Sequence, residues 1–197
     1  MRIGIDLLAV TDPAQRLAAA IEADDLGLWA VLIGGAAGTE AIEAAIIATK
    51  TSSIHLAVML EGGSEHPLTL AEEISVLDHL SQRRALAIID GEPDGVGHTA
   101  KLLAGHIVDG VALSPPPAQT VVPVWAAADV ARVDLSGDIE RDGRVIDDLR
   151  DNGCTHLFVT WPGPLLALAR HLMTRAVGPD FPSVVAELAD RIDPPVE

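Results

Sequence analysis

Residues 66–84, HPLTLAEEISVLDHLSQRR, hold the reading that decides the fold. Leu70, Ile74 and Leu77 recur at helical spacing and make one apolar stripe, while Glu72, Glu73 and Asp78 fall off it. Pro67 suits a first helical turn, and His66 before it stands where a cap belongs. Taken alone, such a stripe is scaffold: a helix laying one face on a sheet. The flanks say which sheet. SIHLAVMLEGG before it and RRALAIIDGE after it are short, apolar and strand-like, so the stretch is the helix of a β-α-β unit.

The same alternation extends outward. Arg2 to Val10 reads as a buried strand, TDPAQRLAAAIEADDLG as a helix capped at Thr11 or Asp12 and stopped at Gly27, LWAVLIGG as a strand, and GTEAIEAAIIATKT as a helix. Alternating strands and helices imply parallel βαβ units. After Glu92 the order weakens. PDGVGHTAKLLAGH is a short helix, and the prolines of IVDGVALSPPPAQTVV forbid a central strand. VPVWAAA, VARVDLSGD and CTHLFVTW supply further strands, with IERDGRVIDDLRDNG a helix ending at Gly153, then a helix over 164–176 and an amphipathic segment over 182–192. Six or seven strands result, one or two short of an eight-stranded barrel.

Composition narrows the function. The 197 residues suit a single domain over 1–197, with 49% apolar residues and no apolar run of the length a membrane span needs. Lys and Arg number 13 against 29 Asp and Glu, a formal charge of −16 that repels nucleic acid. The first residues lack a basic start and a signal cleavage site, so a cytoplasmic location is the expectation. The lone Cys154 rules out an internal disulfide framework and a cysteine-rich zinc site. The seven histidines are dispersed, without HExxH or paired spacing, and no metal is expected. IGGAAG follows a strand and precedes a helix but lacks GxGxxG spacing, and no P-loop or GxSxG elbow occurs.

The wording of the opening stretch adds a resemblance. His66-Pro67 at the start of the helix, Leu77-Asp78-His79-Leu80-Ser81 at its end and Arg84 beyond it resemble the third helix and fourth-strand entry of the bacterial luciferase-like family. AAAIEADDLGLWAVLIG, LSPPPAQTVVPVW and LRDNGCTHLFVTWPG extend the likeness more weakly over most of the chain. The resemblance implies a (β/α) barrel of the TIM type, shortened in its second half, with the abbreviated region at about 126–152. It also implies an oxidoreductase using reduced flavin (FMN) or deazaflavin, coenzyme F420, on a small organic substrate. The alternative is a degenerate, non-catalytic relative that binds a small ligand or serves as a partner subunit. Two departures bear on the cofactor. Arg83 stands where the family has glycine, which implies less room for a flavin ring, and the shortened region is where barrels usually hold phosphate.

Barrel chemistry sits at the C-terminal strand ends. Read there, the cofactor candidates are Asp6, Met59, Leu60, Asp90 and Trp125, and the substrate candidates Gly34, His66 and Trp161. Each has a plainer role. Asp6, inside an apolar strand, must be paired, exposed at a mouth or protonated; Met59 and Leu60 suit core positions; His66 suits a helix cap. A homodimer through helices 38–51 and 67–81 is the remaining expectation. Ala41, Ala44, Ala45 and Ala48 leave one helix side nearly free of bulk, Ile42, Ile46 and Ile47 add apolar area, and the family dimerises there.

Overall fold

The computed structural model describes residues 1–35, 38–63 and 65–176; the amphipathic segment read at 182–192 and Ala36-Ala37 of the IGGAAG loop lie outside the described residues. The chain order is β1 (Arg2–Asp6), α1 (Pro13–Asp25), β2 (Ala30–Ile33), α2 (Glu40–Ala48), β3 (His55–Glu61), α3 (Pro67–Leu80), β4 (Ala85–Asp90), α4 (Pro93–Leu103), β5 (Val124–Ala126), a 3-10 turn (Ala127–Asp129), β6 (Ala131–Asp134), α5 (Ile139–Asp151), β7 (His156–Thr160) and α6 (Leu165–Ala176). All seven strands are parallel, in the order β5-β4-β3-β2-β1-β7-β6.

This is the strand order of a barrel opened at one seam. β5 and β6 follow one another through residues 127–130, which hold a single 3-10 turn and no α-helix, yet occupy the two edges of the sheet. The sequence reading puts the abbreviation at about 126–152, and the short connection over 127–130 lies at the start of that stretch. The sheet still curls, since Trp29 below β2 meets both Trp125 of β5 and Phe158 of β7, with ring centroids 5.9 and 5.7 Å apart.

Strand alternation produces two cores. Ile5, Val31, Ile33, Leu56, Val58, Ala87, Ile89, Leu157 and Val159 face the helices, where Leu70, Ile74 and Leu77 of α3 meet them as the stripe predicts. Ala30, Leu32, Ala57, Leu86, Ile88 and Phe158 face the interior, joined by Leu8, Trp29, Met59 and Trp125. The sequence reading missed Gly4. A Cβ there would lie 2.7 Å from the Ala30 carbonyl oxygen and from the Phe158 ring, so this glycine lets Phe158 fill the interior.

The wording of residues 66–84 resolves into local physics. His66 Nδ1 accepts from Leu68 N–H at 3.2 Å and caps α3. Asp78, fully buried, accepts from Gln119 N–H at 2.7 Å and Gln119 Nε2 at 2.6 Å, tying down the proline-rich segment before β5. Arg84 donates to Ser81 O (2.6 Å), Thr51 Oγ1 (3.0 Å), Ile54 O (3.0 Å), Ala48 O (3.0 Å) and Thr51 O (3.1 Å), which ties the end of α2 and the loop after it to the turn before β4. Burial lowers the Arg84 pKa from its usual value, and the charge of Asp24 partly restores it.

Arg83 corrects an expectation. It lies just before β4, at the N-terminal end of the barrel, and so has no bearing on room for a ring at the opposite end. Its φ of +70° shows that the backbone keeps the left-handed conformation a glycine would favour, with a bulkier residue in place.

Candidate functional site

The C-terminal mouth is built from the residues that end β1, β3, β4, β6 and β7 on the interior face. Asp6 is its centre. Its side chain is 4% exposed, and Oδ2 accepts from Arg132 Nε at 2.8 Å and Nη2 at 2.6 Å, while Oδ1 accepts from Leu8 N–H at 2.9 Å. Of the three fates open to a carboxylate in an apolar strand, the fold takes pairing. Residues 126 apart in sequence meet because β7 lies between β1 and β6, and Asp6 and Arg132 both face inward. Arg132 was not singled out from the sequence. Its signal was the alternation Ala131-Arg132-Val133-Asp134, in which both charged residues share the interior face.

The other candidates separate. Met59 faces inward, half-buried, beside Gly34; a Cβ on Gly34 would come within 2.9 Å of both Leu8 Cδ2 and Met59 Cβ, so Leu8 and Met59 close over that position. Asp90 ends β4, exposed, and its carbonyl accepts from Gly62 N–H at 2.8 Å. Leu60 points the other way, 3% exposed, into the layer beneath the helices, because it alternates with Met59. Trp125 faces inward, but its ring turns toward His156 (5.0 Å between centroids) and Trp29 at the N-terminal ends of the strands, away from the mouth. Trp161 follows β7 and donates Nε1–H to Pro164 O at 3.0 Å, packing against the helix-side core. His66 is exposed and its Nδ1 is committed to the α3 cap. The structure therefore brings Asp6, Met59 and Asp90 to the mouth and leaves Leu60 and the Trp125 ring elsewhere.

Arg16 is a second residue that sequence reading passed over. It is 6% exposed and bridges loops at the mouth, donating to Val10 O, to Gly34 O at 3.4 Å and to Glu43 Oε2 at 2.6 Å. Below β6, the Asp142 carboxylate accepts from Ser136 N–H (2.9 Å), Ser136 Oγ (2.7 Å) and Gly137 N–H (2.7 Å). Burial works against ionising Asp142, but these bonds and nearby His171 outweigh it and hold the carboxyl below the usual range.

A phosphate-bearing cofactor finds little to hold it here. Helix N-termini at a barrel mouth bind anions through free N–H groups, and in this chain α1, α3 and α5 carry their own acceptors, while α2 and α4 have no side-chain cap. Asp12 takes Ala14 N–H, His66 takes Leu68 N–H, and Asp138 takes Glu140 and Arg141 N–H. The first turns of α2 and α4 carry Glu40, Glu43 and Asp94. These caps and acidic first turns make α1 to α5 a poor fit to the phosphate of FMN or the phosphodiester of coenzyme F420. Among the described residues there is no group of three or more His, Cys, Asp or Glu placed to hold a metal ion.

No protein-family model matches the chain, and no curated protein does. Solved structures share its fold. Monooxygenase RslO1 from Streptomyces bottropensis superposes with a TM-score of 0.54 at 20% identity, over 88% of this chain and 64% of that one. Riboflavin lyase RcaE, solved with modified FMN and riboflavin, superposes with a TM-score of 0.50 at 14% identity, over 77% of this chain and 59% of that one. The class is thus an incomplete TIM-like barrel, an architecture shared with these two solved structures. The chain spans less than two thirds of the length of either solved relative.

Proposed function

We propose that this chain is an oxidoreductase of the luciferase-like type, acting at the C-terminal mouth on a small organic substrate with a reduced flavin or deazaflavin that it holds weakly. The observation that carries the reading is the Asp6–Arg132 pair, a buried carboxylate orienting a guanidinium that is 42% exposed, set above an apolar interior where barrels place their chemistry. Asp6 fixes Nε and Nη2, and Nη1 makes no hydrogen bond among the described residues. That nitrogen is available to orient a substrate oxygen. Leu8 and Met59 supply an apolar floor that excludes water.

The filled interior around Gly34 and the self-capped helix ends favour a second reading, a non-catalytic relative that binds a small ligand or serves as a partner subunit. Oxygen uptake by the protein with a flavin reductase, NADH and FMN, screened against small ketones, aldehydes and alkanes, separates the two. Substrate-dependent uptake lost in Arg132→Met supports the enzyme. Ligand-induced thermal shifts without uptake for any substrate support the binder.

The chain is further proposed to dimerise through α2 and α3. These helices border a groove of 390 Å³ lined by Ala41, Ile42, Ala45, Val76, Leu77 and Leu80. Ile42, Ile46, Val76 and Leu80 are exposed by 63, 51, 47 and 53%, more apolar surface than a solvated outer helix layer needs. The alanines divide between two faces: Ala44 and Ala48 are buried against the sheet, and Ala41 and Ala45 line the groove. A cytoplasmic setting suits the free thiol of Cys154, and no described helix is long and apolar enough to cross a membrane.

A further inference from the structure

We infer that the mouth selects an unphosphorylated ring: an uncharged flavin such as riboflavin binds there in preference to FMN. The inference rests on the flavin reading of the mouth and adds its charge selectivity. Two independent features carry it. The first is the charge that lines the opening on the interior face. Asp90 and Asp134 end β4 and β6 and are exposed, so their charge reaches a ligand entering from solvent. The cation among these strand ends is Arg132, and Asp6 already neutralises it.

The second feature is the occupation of the starts of α1 and α5, while α2 and α4, without a side-chain cap, carry Glu40, Glu43 and Asp94 in their first turns. A phosphate entering a barrel mouth gains its binding energy from unpaired N–H groups and from the positive end of the helix dipole. Here Asp12 and Asp138 place carboxylates on those N–H groups. In the loop after β6, Asp142 takes the N–H groups of Ser136 and Gly137. A phosphate dianion would have to displace a carboxylate that is covalently part of the chain and therefore present at high effective concentration. An uncharged ring meets neither obstacle, because stacking on Leu8 and Met59 and a hydrogen bond from Arg132 involve no phosphate.

The test is a pair of fluorescence-quenching titrations of the full chain, with riboflavin and with FMN, at two salt concentrations. Simple Coulomb repulsion at roughly 10 Å, with its screening, leads to riboflavin binding about tenfold tighter than FMN near 10 mM salt and about threefold tighter near 150 mM. In Asp134→Asn, which alters one exposed side chain, FMN binding tightens by about twofold at low salt while riboflavin binding is unchanged. Equal or tighter binding of FMN at low salt overturns the selectivity and leaves a flavin site standing. Failure of both ligands to quench up to the solubility of riboflavin overturns the flavin reading itself, and the selectivity with it.

Discussion

Replacing Arg84 tests the account of why residues 66–84 are written as they are. The guanidinium is 9% exposed and makes five hydrogen bonds, four of them to backbone carbonyls of residues 48, 51, 54 and 81. Those carbonyls belong to the last turn of α2, the α2–β3 loop and the turn before β4, where no ladder satisfies them. Arg84→Met keeps much of the stem's packing but leaves them facing a methyl group. Each buried carbonyl left without its donor costs about 1–3 kcal/mol, and here the loop can partly re-hydrate, so about 3 kcal/mol in all is expected. Arg84→Lys keeps the charge, but one ammonium cannot span both sides of the loop, and about 2 kcal/mol is expected. For a chain of this size 3 kcal/mol lowers Tm by about 6–12 °C. Urea unfolding followed by far-UV circular dichroism reads both variants, with the m-value checked for constancy. A loss below about 1 kcal/mol in Arg84→Met would refute the claim that this arginine pins the loop.

Further outcomes follow from neighbouring features. Arg83→Gly removes a side chain from a φ of +70°, and the strain relieved less the added freedom of the unfolded chain leaves a gain of about 0.5–1 kcal/mol; an unchanged or lower urea midpoint counts against it. Asp24 is subject to burial, which opposes its ionisation, but hydrogen bonds from Ser52, Ser53 and Ile54 prevail and hold its pKa well below the usual carboxylate range. A depressed pKa contributes stability that is complete above the unfolded value, near 4, and is lost as pH falls through the folded one. Asp24→Asn should therefore cost about 1 kcal/mol at pH 7, a modest figure for a solvent-accessible group, and the gap to wild type should close in strongly acidic buffer; a constant gap argues for lost packing instead. Ala45→Glu, in the α2–α3 groove, should convert a dimer to a folded monomer by light scattering at micromolar concentration, and a monomeric wild type would sink the proposed interface.

The sequence by itself determined the elements that local chemistry specifies. Pro67 after His66, the stripe Leu70-Ile74-Leu77, Asp12-Pro13 before α1 and glycines in the left-handed conformation at Gly27 and Gly153 mark helix starts, faces and stops that depend on few residues, all near in sequence. Strand-helix alternation implied a parallel sheet, which follows from period and connection length, while the barrel short of closure came from the resemblance. Only the tertiary structure decided what the inward face holds. Whether Asp6 would be paired depended on β6 lying beside β7 and presenting Arg132, a relation between residues 126 apart that no local pattern encodes. Leu60 and Met59 are both apolar and adjacent, and their opposite directions follow from strand register, as the downward turn of the Trp125 ring follows from the space left at an open seam. The same holds for Arg84: sequence marked it by resemblance, but its work is to satisfy carbonyls some 30 residues earlier, which the curl of β3 against β4 brings within reach.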